Sequence, residues 1–206
     1  GSKLSGQSNM ILKRVQASID TYFPSVKMMI GEFDYGNDND ISHGLSIADF
    51  LGTVSQYGVE IATRWDLSNT TATYTKSAYQ LFRNFDGIDN TYGSQAVTSS
   101  FINPSDGSIW ASINDVGDQL HLIILNKDVS KKLSFSINTN ESGYQYQFKN
   151  LYAFNETNAN LFSLNSDTVN ISGSSIAGTM EPLTAYHLVL SRSSIITNLD
   201  DQSIAE

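Results

Sequence analysis

The chain has 206 residues, no cysteine and a formal net charge of −9, from 12 Lys+Arg against 21 Asp+Glu. That excess, with no basic cluster to offset it, repels polyphosphate, so nucleic acid is excluded as an expected partner and a neutral substrate fits better. A hydrophobic content of 40% supports a globular chain with a sizeable core, and the missing cysteines exclude disulfides and thiolate-held metals without fixing the compartment.

Ser8 can cap a helix whose apolar residues Ile11, Val15, Ile19 and Tyr22 recur at near-helical spacing until Pro24 stops it. Residues 26–36 form a short apolar run, bounded by Pro24 and Gly36, that predicts a buried strand with Glu32 at its C-terminal end. A polar loop at 37–40 leads to a second amphipathic helix marked by Leu45, Ala48, Leu51 and Val54 and ended by Gly58. Residues 59–65 are β-rich, and after a loop at 66–73 a third helix is marked by Ala78, Leu81, Phe82 and Phe85 and closed by Asp86-Gly87. Helix, strand, helix, strand, helix implies parallel strands joined by crossovers, as in doubly wound sheets and barrels.

Beyond residue 94 the pattern changes. Ile109/Ala111/Ile113, Leu120/Leu122/Ile124 and Leu133/Phe135/Ile137 recur with period two, and the turn signals at 103–107 and 116–118 separate them at the spacing of sandwich strands. The run 96–102 alternates poorly. Further strands are expected at 144–154, 168–171 and 183–190. The fold class is therefore α/β plus all-β, with an antiparallel β-sandwich over 95–191 and a polar tail over 192–206. No internal repeat is present.

Several residues carry possible chemistry. Glu32, at a strand end, reads either as a nucleophile or acid/base group or as a structural acid that pairs a cation or caps the next helix. Asp34, two residues on, reads as an acid/base partner through a water or, more simply, as a hydrogen-bond acceptor that orders its loop. Asp34, Asp38 and Asp40 offer oxygens to calcium but do not match an EF-hand, and a solvated turn is the simpler reading. Trp65 can support a sugar ring or pack under the next loop. His43 opens the second helix close to the same rim. His121 and His187 fall in β-strands and form no triad, and Asn155-Glu156 lies in the β-rich half beside a turn, where an acid/base role is not expected.

The segments Gly31-Glu32-Phe33-Asp34-Tyr35-Gly36, Asp40-Ile41-Ser42, Ala48-Asp49-Phe50-Leu51-Gly52, Tyr57-Gly58-Val59 and Ala62-Thr63-Arg64-Trp65 occur in one order and spacing. Together they resemble the C-terminal part of glycoside hydrolase family 44. The resemblance is best over 30–87, and the following β-rich half agrees in kind with the β-domain that this family appends to its barrel. It implies that residues 1–94 are the last strands and helices of a TIM-type (β/α) barrel, a partial domain. It implies that Glu32 ends the seventh barrel strand as the nucleophile of a retaining β-glucanase, and that Trp65 ends the eighth as the aromatic platform under the sugar. Tyr35 joins Trp65 in substrate binding, with Asp34 and His43 in support. Phe33 departs from the usual Tyr by one hydroxyl.

A complete barrel needs ~250 residues, and the part of this chain outside the sandwich is under half of that. Retaining hydrolysis needs two carboxylates ~5–5.5 Å apart, and by the resemblance the general acid lies on the fourth strand, outside this chain. The expected partners are therefore a β-glucan polysaccharide and the missing N-terminal barrel portion of the same enzyme. The isolated chain is expected to be inactive. No cofactor is expected beyond the calcium reading above. The competing reading is a non-catalytic carbohydrate-binding or structural module built on the sandwich, with a barrel remnant. No stretch approaches the ~18 apolar residues of a membrane span, so no membrane partner is expected. The N-terminus shows no signal-peptide pattern, and a secreted enzyme is what the family resemblance implies.

Overall fold

The computed structural model describes residues 11–65 and 72–195. The expected Ser8 cap, the loop at 66–71 and the last part of the expected tail lie outside the described residues. The first half is α1 (Ile11–Tyr22), β1 (Met28–Phe33), α2 (Ile41–Gln56), β2 (Val59–Arg64) and α3 (Thr73–Phe82). β1 and β2 pair in parallel, from Met28 opposite Val59 to Phe33 opposite Arg64, and Trp65 N–H extends the ladder by donating to the Phe33 carbonyl at 2.9 Å. α2 begins where Asp40, with extended backbone, accepts the Ser42 N–H at 2.8 Å, which satisfies one of the free donors of the first turn. It ends at Gln56 with Tyr57 as its cap, and Gly58 follows with a φ of +66°, which suits a residue without a Cβ.

α3 stops at Phe82, one turn before the apolar spacing suggests. Arg83 turns extended and bridges to Thr91, Asn84 takes a φ of +62°, and Tyr92 N–H returns to the Phe82 carbonyl. Phe85 therefore leaves the helical path and is buried on the sheet, 4.3 Å from the His187 ring and 5.4 Å from Tyr152.

The second half forms β3 (Gln95–Val97), β4 (Gly107–Ile113), β5 (Gln119–Asn126), β6 (Leu133–Asn138), β7 (Tyr144–Asn155), β8 (Asn158–Leu164), β9 (Val169–Ser172), β10 (Ser175–Met180) and β11 (Thr184–Ser194). A six-stranded antiparallel sheet runs β3-β4-β5-β11-β7-β8, and a three-stranded one runs β6-β10-β9. Of the expected run 96–102 only the start is strand. β8 and β10 have no counterpart in the expected set, because Asn-Ala-Asn and Ala-Gly-Thr interrupt their alternation. β11 continues past its expected end, so Arg192, Ser193 and Ser194 pair with Tyr146, Gln145 and Tyr144 instead of opening a tail.

Two apolar clusters hold these layers together. One lies between the sheets and joins Ile124, Leu151 and Leu188 to Phe135, Ile176 and Met180. The other joins Ile47, Ala48, Ala78 and Leu81 of the helices to Ile123, Leu125, Phe154 and Ala185 on the opposite face of the six-stranded sheet. With both faces covered, β5 and β11 are buried almost residue by residue rather than alternately. Each fully buried aliphatic side chain contributes ~1.5–3 kcal/mol, so the second cluster is a substantial bond between α2, α3 and the sheet. Asp49 of α2 adds polar links, accepting from Trp110 Nε1 at 3.2 Å and Lys127 Nζ at 2.8 Å. One core thus crosses residue 94.

Candidate active site

Glu32 lies one residue before the end of β1 and is exposed, as are Met29 and Gly31, and only Met28 of the strand is buried. The buried strand expected from its apolar run is therefore open on the side that β2 and α2 do not cover. Pairing with β2 slips between Ile30 and Phe33, so Gly31 and Glu32 sit in an irregular stretch of ladder, a feature that re-aims side chains at strand ends. Among the described residues the Glu32 carboxylate makes no hydrogen bond or ion pair. The cation-pairing and capping roles that would make it structural are taken by other acids: Asp40 caps α2, and Asp34 and Asp38 meet Arg64.

The neighbouring loop is ordered from within. Asp34 Oδ1 accepts the Tyr35 N–H at 2.8 Å and stands 3.7 Å from Arg64 Nη2, while Asp38 forms a close ion pair with the same guanidinium. His43, buried in the first turn of α2, places Nε2 3.2 Å from Asp38 Oδ1 without the alignment of a hydrogen bond. Asp34, Asp38 and His43 bring ligand atoms within 4.8 Å of one another. As a calcium site this set does not fit: calcium takes six to eight oxygens, Asp40 is committed to its cap, and the positive charge between Asp34 and Asp38 is that of Arg64. Arg64 and Asp38 are thus the residues of the rim to which sequence reasoning gave no part beyond a calcium turn. The Ala-Thr-Arg-Trp segment held the signal, because a cation next to the strand-ending Trp65 needs a carboxylate within reach.

Aromatic side chains complete the rim. Phe33 packs on Phe50 with ring centroids 4.1 Å apart, and Tyr35 lies edge-on to Phe50 at 6.0 Å. Partial burial, and then the charge of Asp49, hold the Tyr35 hydroxyl above its usual pKa, so it remains a hydrogen-bond donor at neutral pH. Trp65 follows the last residue of β2, its backbone N–H bonded to the Phe33 carbonyl, and is 45% exposed. Asn155 of the Asn-Glu pair ends β7 at the β7–β8 turn, where its side-chain Oδ1 accepts the backbone N–H groups of Thr157 and Asn158. His121 and His187 lie buried on the sheet, with no triad around them. Among the described residues the rim therefore offers an accessible carboxylate without a partner in Glu32, ordered neighbours and aromatic surface, a set suited to a sugar ring and to one half of a two-carboxylate reaction.

Endoglucanase A of Paenibacillus lautus is 35% identical over 183 residues, 87% of this chain and 25% of that protein. A family 44 xyloglucanase of Paenibacillus polymyxa superposes over 88% of this chain and 35% of its own, with a TM-score of 0.80 and 30% identity. The chain is a portion of a glycoside hydrolase family 44 fold. A family 44 endoglucanase of Clostridium thermocellum matches to the same extent, with a TM-score of 0.79 and 33% identity. No protein-family model matches the chain. The chain spans a quarter of the length of the first curated relative and about a third of each of these family 44 structures.

Proposed function

We propose that this chain is the C-terminal part of a retaining endo-β-1,4-glucanase of family 44, with Glu32 as its nucleophile and the general acid outside residues 1–206. The observation that carries this reading is the exposed, unpartnered carboxylate of Glu32 at the end of a parallel strand whose neighbour ends at an exposed Trp65. A Glu32 oxygen attacks the anomeric carbon as the glycosidic C–O bond breaks, while the other carboxylic acid protonates the leaving oxygen. Water, deprotonated by that same group, then releases the sugar from the glycosyl ester. Trp65 and Tyr35 bind the ring, and Asp34, Arg64, Asp38 and His43 hold the loop.

Residues 1–94 are the end of a TIM-type barrel and 95–191 its β-sandwich, in an enzyme that acts outside the cell on a β-1,4-linked glucan such as xyloglucan. No helix among the described residues is long and apolar enough to cross a membrane. The rest of the barrel is the expected cover for Met29 and Ile61, 59% and 50% exposed on a two-stranded parallel sheet, since such sheets are normally buried on both faces. A binding module on the sheets alone is less well supported, because α2 and α3 share their core. In the longer enzyme, Glu32→Gln is expected to abolish glucan hydrolysis with folding intact, and the isolated chain to be inactive. Near-parental turnover in that variant would refute the assignment.

A further inference from the structure

The sheets of the second half are unequal: six strands face three. On the β9 side the smaller sheet approaches β7. On the β6 side, a cavity of about 660 Å³ opens over β3, β4 and β5. Its lining joins apolar residues of both inward faces, including Val97, Ile109, Leu120 and Phe135, to polar groups of Ser134, Ser136, Asn138 and Glu141.

Among the described residues, the rim of this cavity is an unpaired strand edge. β6 pairs on one side with β10, in register from Leu133 opposite Met180 to Asn138 opposite Ser175. The next residue, Thr139, donates its N–H to the directly opposed Ser174 carbonyl. Antiparallel ladders alternate hydrogen-bonded with non-bonded pairs, so Leu133, Phe135 and Ile137 bond to β10, and Ser134, Ser136 and Asn138 turn N–H and C=O outward. The 3.4 Å approach of Ser134 Oγ to Thr179 Oγ1 fits this parity, because side chains come closest in non-bonded pairs. β6 has no proline or charged residue of its own, the devices that usually blunt an edge.

We infer that an extended segment from the part of the enzyme outside this chain adds to β6 as a further strand and fills the cavity with apolar side chains at alternate positions. This rests on the reading of the chain as part of a longer enzyme, for which relatives roughly two and a half to three and a half times its length leave ample chain. The cavity lining fits an amphipathic strand: the apolar floor of Ile109, Leu120 and Phe135 matches its inward side chains, and Ser134, Ser136 and Asn138 lie along the edge where its backbone would run. A second copy fits poorly. Joining β6 to β6 would satisfy the edges but leave both cavities empty, since each Leu133, Phe135 and Ile137 already faces its own core.

The test is amide hydrogen exchange on this chain alone and, segmentally labelled, within the longer enzyme. In the chain alone the N–H groups of Ser134, Ser136 and Asn138 are expected to exchange rapidly; in the longer enzyme they slow by at least about 100-fold. Ser136→Pro, which removes an outward donor that the chain's own ladder does not use, is expected to spare the isolated fold and abolish the protection at Ser134 and Asn138. Unchanged rates in an enzyme whose glucan hydrolysis depends on Glu32 would overturn the added strand and leave the proposed function standing. Inactivity of the longer enzyme would count against the function, with the exchange rates still deciding the strand. Slow exchange in the chain alone would also overturn it, assigning the edge to a second copy if it varies with concentration and to the chain's own termini if it does not.

Discussion

His121 Nδ1 lies 3.0 Å from His187 Nε2, a diagonal pair on β5 and β11 beneath the rings of Phe85 and Tyr92. Burial holds both imidazoles neutral: His121 is pushed down to about 4, helped by the Lys149 charge, and His187 well below its usual value, against the pull of the Leu81 carbonyl. The unfolded chain takes up protons near pH 6.5 while the folded chain resists. Stability is therefore full above that pH and falls from there toward pH 4, by up to ~1.4 kcal/mol per pH unit for each group. Urea midpoints at pH 7.5, 6 and 5 should drop progressively, and His121→Gln should flatten the slope. Equal midpoints at pH 7.5 and 5 would contradict the pair's burial in neutral form.

Gly52 of α2 lies against the Trp110 indole, and a Cβ there would overlap the ring. Alanine normally stabilises a helix interior by up to ~1 kcal/mol over glycine, but overpacking costs ~1–3 kcal/mol, so Gly52→Ala should be destabilising on balance. A higher melting temperature for this variant would show that α2 can move off the sheet at little cost.

Asp40→Ala removes the cap of α2 and should cost ~1 kcal/mol, with Asp40→Ser recovering most of it. The Ser42 hydroxyl and N–H hold the Asp40 carboxyl below its usual pKa, so its contribution is present at neutral pH and lost as pH falls through the folded value. Denaturation at pH 7 and pH 3 should show a smaller difference between wild type and Asp40→Ala at the acid end.

Trp65→Ala separates a substrate surface from a packing residue. In the longer enzyme it should lower kcat/KM by about 10- to 100-fold, the equivalent of ~1.4–2.8 kcal/mol. The isolated chain should lose under ~0.5 kcal/mol of stability, as suits an exposed side chain. A large stability loss with unchanged kinetics would assign the indole to packing.

The elements that were legible in the sequence are those with long apolar periodicity: α2 through Leu45, Ala48, Leu51 and Val54, and β4 and β5 through their alternate residues. β8 was not, because Asn158 and Asn160 stand where an apolar alternation would need support. Nor was the end of α3, where a tertiary bridge from Arg83 to Thr91 overrides the pull of Phe85 toward another turn. At the rim, local motifs located Glu32 and Trp65. The convergence of Asp34 and Asp38 on Arg64, with His43 beside Asp38, joins residues up to 30 positions apart, and no short-range pattern encodes it.

The apolar cluster that runs through α2, α3 and the six-stranded sheet also constrains inheritance. A recombination event that moved the β-rich half to another gene at residue 94 would strip Ile123, Leu125, Phe154 and Ala185 of their cover. The exchangeable cassette therefore starts upstream of α2, near the strand that carries Glu32.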